Sequence, residues 1–174
     1  MKSVFVAVMI GVAQAPRLLS QTADPTLPFP APKRYEHAAK IESADAFGLT
    51  IWYVDTIAIR PTLRFSAAYA YPEGKPITPR VVELSFATAR QGGYDFERRR
   101  DLTLVLDDST RLNLGSTEFD AASSAVRILV PIRKFLQIVN AHRVSGQVGD
   151  AAFQLDIGTL AALRDLASRM PHRE

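Results

Sequence analysis

From residue 34 to residue 155 the hydrophobic positions repeat with a period of two. Leu63, Phe65, Ala67, Tyr69 and Tyr71 alternate with Arg64, Ser66, Ala68 and Ala70, the pattern of a strand with one face turned inward. Val82, Leu84 and Phe86 repeat it against Glu83 and Ser85, as do Leu102, Leu104 and Leu106 against Asp101, Thr103 and Asp107. Val126, Ile128 and Val130, with Leu129 also apolar, predict a central strand. Prolines 72, 76 and 79 with Gly74, and glycines 92 and 93, make the intervening stretches loops rather than crossover helices.

Side-chain faces must match across a hairpin, so two registers can be predicted. A two-residue turn at Gly149 and Asp150 sets Val148 opposite Ala151, Gly146 opposite Phe153 and Val144 opposite Leu155. Glycine in the first place suits a type II′ turn. Between Leu102 and Leu114, a two-residue turn at Asp108 and Ser109 would pair Leu106 with Arg111. A three-residue loop over 108–110 pairs Leu106 with Leu112 and Leu104 with Leu114, and is preferred.

The period changes to that of a helix twice. Pro131 is tolerated before a first turn, and Ile132, Phe135, Leu136 and Val139 follow at helical spacing, predicting a short helix near 132–141. Asp156 reads as an N-cap for a C-terminal helix near 157–170, with Leu160, Leu163, Ala167 and Met170 on one stripe and Asp165 and Arg169 as an i,i+4 pair. Helices confined to the last third predict a mainly β fold of the α+β kind: a curled antiparallel sheet or β-sandwich carrying both helices. A parallel doubly wound sheet would need helices throughout.

The ends follow another rule. Lys2 precedes an unbroken apolar run over 4–13, which Gln14, Pro16 and Arg17 stop at half the roughly 20 residues a membrane-spanning helix needs. Residues 1–15 therefore read as a secretory signal peptide, with the cut left open around Ala13 to Pro16, and no stable transmembrane span is expected. Prolines 16, 25, 28, 30 and 32 make 16–32 an extended tether, since proline lacks an N–H and biases its predecessor away from helix. A single β-rich domain is expected over 33–170, with a frayed tail over 171–174.

Composition narrows the chemistry. With 174 residues and no cysteine, a disulfide framework, Cys-ligated zinc, iron–sulfur clusters and thiol nucleophiles are excluded. Removing Lys2 with the leader lowers Lys plus Arg from 21 to 20 against 18 Asp plus Glu, too even a balance for a nucleic-acid footprint.

The positions Phe135, Ile138, Ala141, Val144, Gly146, Gly149, Phe153 and Leu155, continuing through 160–169, resemble the C-terminal part of small exported bacterial β-rich proteins of unknown function. The block covers about a fifth of the chain. It implies a shared fold and carries no catalytic residue across.

The search for a reactive constellation returns little. His37, His142 and His172 stand singly, without metal-ligand spacing. Ser66, Ser85 and Ser145 lack both a nucleophile elbow and a histidine partner. Asp107 and Asp108 share a turn with too few oxygens for calcium and no EF-hand pattern. Gly146-Gln147-Val148-Gly149 matches the G-x-x-G loop of RNA-binding KH domains by letters alone, because that loop joins helices. Glycines 92 and 93 lack a phosphate-loop context, so no cofactor is expected. Asp55 interrupts the apolar run over 49–59, either as a buried carboxylate or where a strand shifts face.

One surface stretch combines aromatic and basic groups: Tyr94, Phe96, Arg98, Arg99 and Arg100. The arginines could grip phosphate or carboxylate, with the rings stacking on a sugar. The competing reading is a solvated loop whose aromatics tuck back onto the sheet. The resulting expectation is an exported, non-enzymatic binding or scaffolding domain of the bacterial cell envelope, its partner an envelope protein or glycan. The alternative is a hydrolase or metal-dependent enzyme assembled from Asp55, Asp107 and His142. A third is a membrane-associated protein using an uncleaved N-terminus.

Overall fold

The alternating stretches fold as antiparallel strands that bury their apolar alternates and leave polar residues outside. A computed structural model describes residues 28–31, 35–88, 96, 98 and 100–171; the predicted leader and most of the tether lie outside these. Chain order is β1 (Ile41–Ala46), β2 (Leu49–Arg60), β3 (Leu63–Pro72), β4 (Val81–Thr88), β5 (Asp101–Leu106), β6 (Thr110–Ser116), β7 (Glu118–Asp120), β8 (Ala125–Pro131), α1 (Ile132–Asn140), β9 (Val144–Val148), β10 (Ala151–Leu155) and α2 (Ile157–Ser168). Six strands form one sheet, ordered β1-β2-β3-β4-β8-β7, and four form a second, ordered β10-β9-β5-β6. The fold is mainly β and sandwich-like, with two antiparallel sheets that do not close into a barrel.

The inner face of the six-stranded sheet carries Phe65, Ala67, Val82, Leu84, Phe86 and Ile128, all buried. The four-stranded sheet packs on it through Phe153, whose ring lies 5.1 Å from that of Phe86, itself 5.2 Å from Phe65. The helices cover the rest. α1 packs against β4 and β8, and α2 against β2 and α1. Asp156 caps α2 by accepting from Thr159 N at 2.6 Å, and the predicted stripe Leu160, Leu163, Ala167 and Met170 is buried. Arg164 of α2 donates to Val139 O and Ala141 O, joining the helices and satisfying carbonyls that the end of α1 leaves open.

The predicted Gly149-Asp150 hairpin forms with the expected register, Val148 opposite Ala151, Gly146 opposite Phe153 and Val144 opposite Leu155. Gly149 has a φ of 55° and Asp150 has no positive φ, the sign pattern of a type II′ turn. The β5–β6 hairpin needs a correction. Its loop has three residues as expected but spans 107–109, so Leu106 pairs with Thr110 and Leu104 with Leu112, not Leu106 with Leu112 and Leu104 with Leu114. Asp107 and Asp108 both take positive φ, of 50° and 61°, a conformation aspartate tolerates, and this draws the turn one residue earlier. A shift of two leaves every leucine on its original face. A bulge between Leu102 and Thr103 then brings Gly115 opposite Leu102.

Asp55 is exposed and sits where the β2–β3 register slips between Val54 and Ile57, so the chain shifts face there rather than burying a carboxylate. The segment before β1 lies along the helices. Phe29 packs against the core, Pro28 O accepts from Asn140 Nδ2 at 3.1 Å, and His37 reaches Asp165 of α2. No helix among the described residues is long and apolar enough to cross a membrane.

Candidate functional site

On the four-stranded sheet the faces separate sharply. Leu102, Leu104, Val144, Val148, Phe153 and Leu155 point into the core, so the alternate residues of the same strands form an outer surface. Register fixes its layout. Ala152, Gln147 and Thr103 lie in one row, with Gln154, Ser145, Val105 and Arg111 in the next. All of these but Gln154 line an open depression of about 1120 Å³. Its floor side chains, Thr103, Val105, Ser145 and Ala152, are short; its rim carries long charged or amide groups, Arg98, Arg100, Arg111, Gln147, Asp101 and Asp150.

The predicted loop residues part company here. Arg98 and Arg100 line the depression and are exposed. Phe96 does not join them: at 2% exposure it belongs to the core, where its ring is out of reach of a ligand. The loop therefore tucks an aromatic back onto the sheet and still presents arginines. Tyr94 and Arg99 lie outside the described residues. The structure adds Arg111, distant in sequence but opposite Val105. Neither Arg100 nor Arg111 makes a side-chain hydrogen bond or ion pair with a described residue.

Thr117 completes the rim beside Arg100. Its N–H donates to Arg100 O at 3.1 Å, the residue is 5% exposed, and its Oγ1 has no hydrogen-bond partner among the described residues. Buried polar groups in folded proteins are nearly always satisfied; the Tyr69 and Thr159 hydroxyls are orphaned as well, but of the three Thr117 is the one that lines the depression. Reasoning from the sequence missed Thr117, Arg111 and Gln147. The one signal was alternation: the polar alternates of the two hairpins had to share a face, and Ser145 and Gln147 are on it.

The residues of the enzyme alternative do not meet as a site. The Asp107 carboxylate accepts from the backbone N–H of His142 and of Arg143, at 2.8 and 2.9 Å, and thereby pins the β5–β6 turn to the start of β9. Chiefly the N–H of Arg143, against the opposing effect of burial and with help from the N–H of His142, holds Asp107 below the usual carboxylate range. Asp108 pairs with Arg143 at 2.7 Å. Asp55 stands on β2 of the other sheet. Among the described residues no three His, Asp or Glu side chains come together in a way that could hold a metal ion.

No protein-family model, curated protein or solved structure matches the chain. The site must be read from its own geometry.

Proposed function

We propose that this chain is an exported binding domain of the bacterial cell envelope that holds a negatively charged ligand on the outer face of its four-stranded sheet. The observation that carries the reading is the meeting of Arg98 and Arg100, from the loop before β5, with Arg111, from β6, around one depression. Guanidinium groups present planar pairs of donors that match carboxylate and phosphate oxygens. A floor of short side chains lets such a ligand approach the sheet closely. Asp101 and Asp150 on the same rim offset part of the charge, which favours a ligand carrying hydroxyl donors beside its acids over a densely charged one.

The leader read from the sequence supplies the compartment, and the proline-containing stretch between it and Pro28 supplies a tether. The reading has two tests. N-terminal sequencing of the protein isolated from its host is expected to find a mature start between residues 13 and 23; intact Met1 on cytosolic protein would remove the export half. Purified mature protein is expected to be retained by an isolated envelope fraction in a salt-sensitive way, and Arg100→Gln with Arg111→Gln to abolish retention, while Lys75→Gln in the exposed β3–β4 loop leaves it unchanged. Equal retention of all three proteins would remove the binding half.

A further inference from the structure

We infer that the ligand of this face is an extended acidic glycan, a chain of sugar units bearing carboxylate or phosphate groups, lying along β5 from Thr117 and Arg100 to Arg111. The inference rests on the reading of the face as a ligand surface and adds the class of ligand.

Three observations converge on it. The first is length. Arg100 immediately precedes β5, whereas Arg111 is paired with Val105 near the far end of that strand. Five residue steps at about 3.3 Å each place the two positions roughly 16 Å apart along the strand. A single phosphate or sugar acid engages both only if the two guanidinium groups stretch toward one point, whereas a chain with its acids spaced along it meets each arginine where it stands.

The second is the surface between the arginines. Thr103, Ser145 and Gln147 offer hydroxyl and amide groups that both donate and accept, and Asp101 and Asp150 accept. Such a surface answers a string of hydroxyls. Among the described residues it has no deep apolar socket to anchor the side chains of a peptide, and a face, unlike a free edge, offers no backbone ladder for strand addition. The rim acids disfavour a densely charged polymer that lacks hydroxyl donors.

The third is Thr117. Valine fills the same space without stranding a hydroxyl, so the fold alone gives no reason for threonine here. The hydroxyl is closed off from solvent on a residue that lines the depression and is tied through its backbone to Arg100, so a shift of this rim on binding lets Oγ1–H donate to a ligand oxygen. Arg100 and Thr117 then form one end of the site, while Arg111 marks the other.

Calorimetric titration of the whole mature chain tests this with defined probes: a hexauronate, a phosphodiester-linked glycan of similar length, the neutral hexasaccharide, a monouronate, inorganic phosphate, and an acidic hexapeptide. At least one long acidic glycan is expected to bind about tenfold or more tighter than the short acids, the neutral glycan and the peptide; which one separates carboxylate from phosphate. Arg111→Gln is expected to bring the long ligand down toward the affinity of the short acid. Thr117→Val is expected to weaken the long ligand about tenfold while leaving the thermal midpoint unchanged or higher. Equal affinity for long and short acids, preference for the neutral glycan or the peptide, or an unaltered Thr117→Val protein would overturn the inference. Failure of every acidic probe at any length would instead overturn the reading of the face itself.

Discussion

Gly146 shows how tightly a single position is set. It lies opposite Phe153, and a Cβ built on it would meet Leu104 Cδ2 at 2.6 Å, Phe153 Cζ at 2.7 Å and the backbone oxygen of Thr103 at 2.9 Å. The first two are side-chain atoms that could move. The carbonyl belongs to the β5–β9 ladder and cannot. Gly146→Ala is therefore expected to destabilise the domain by about 1–3 kcal/mol through overpacking, read as a lower urea midpoint with an unchanged denaturant slope. The same arrangement explains why the G-x-x-G letters need no ligand: one glycine makes room for a phenylalanine and the other turns the chain. Sequence reasoning reached both roles because register alone decides them. It could not reach Thr117, whose importance depends on which of its neighbours fail to hydrogen-bond it.

Elements were legible in proportion to how much of their pattern faces the core. β3, β4 and β8 bury every second residue and were readable, as were both helices, whose observed ends fall within two residues of the predicted ones. β1 was not. As the edge strand of its sheet it has no fully buried residue, and Ile-Glu-Ser-Ala-Asp-Ala carries no alternation to detect. Nor was the packing of the segment before it. His37 lies with Nδ1 2.8 Å from Ala39 O and Nε2 3.1 Å from Asp165 Oδ2, while Asp165 also accepts twice from Arg169, whose guanidinium lies 5.5 Å from the centre of the Trp52 ring. Burial works against ionisation of Asp165, but the hydrogen bonds from Arg169 and then His37 outweigh it and hold the carboxyl below its ordinary value. A carboxylate so depressed stabilises the fold above its unfolded-state value and loses that contribution as pH falls through its folded-state value. Asp165→Asn is expected to cost roughly 1–2 kcal/mol near neutrality. Its deficit against the wild type should shrink below about pH 4. Urea unfolding at a series of pH values measures this, and a deficit that does not depend on pH would assign Asp165 a packing role instead.

At the scale of the whole molecule, a chain without cysteine holds its two sheets and two helices together without a covalent cross-link, chiefly by packing. The buried residues form one continuous cluster that draws on both sheets and both helices, rather than one core for each layer. Phe153 joins the halves: it comes from an edge strand of the smaller sheet, packs on Phe86 in the middle of the larger one, and occupies the space that Gly146 leaves. Removing a buried aromatic ring costs about 3–5 kcal/mol. Against the roughly 5–15 kcal/mol that stabilises a typical domain, that is a large share. Phe153→Ala is thus expected to lower the unfolding midpoint steeply while leaving one cooperative transition, because no layer keeps enough buried surface to persist alone. Tryptophan fluorescence, which reports Trp52 on the larger sheet, and far-ultraviolet circular dichroism, which reports every strand, should give the same midpoint. If Trp52 held its native signal after the bulk of the strand signal was lost, the two sheets would be separate folding units. The arginine-lined face of the smaller sheet would then be free to order or loosen without disturbing the larger one. A single midpoint ties that face to the common core, and a ligand bound there would stabilise the entire domain by mass action.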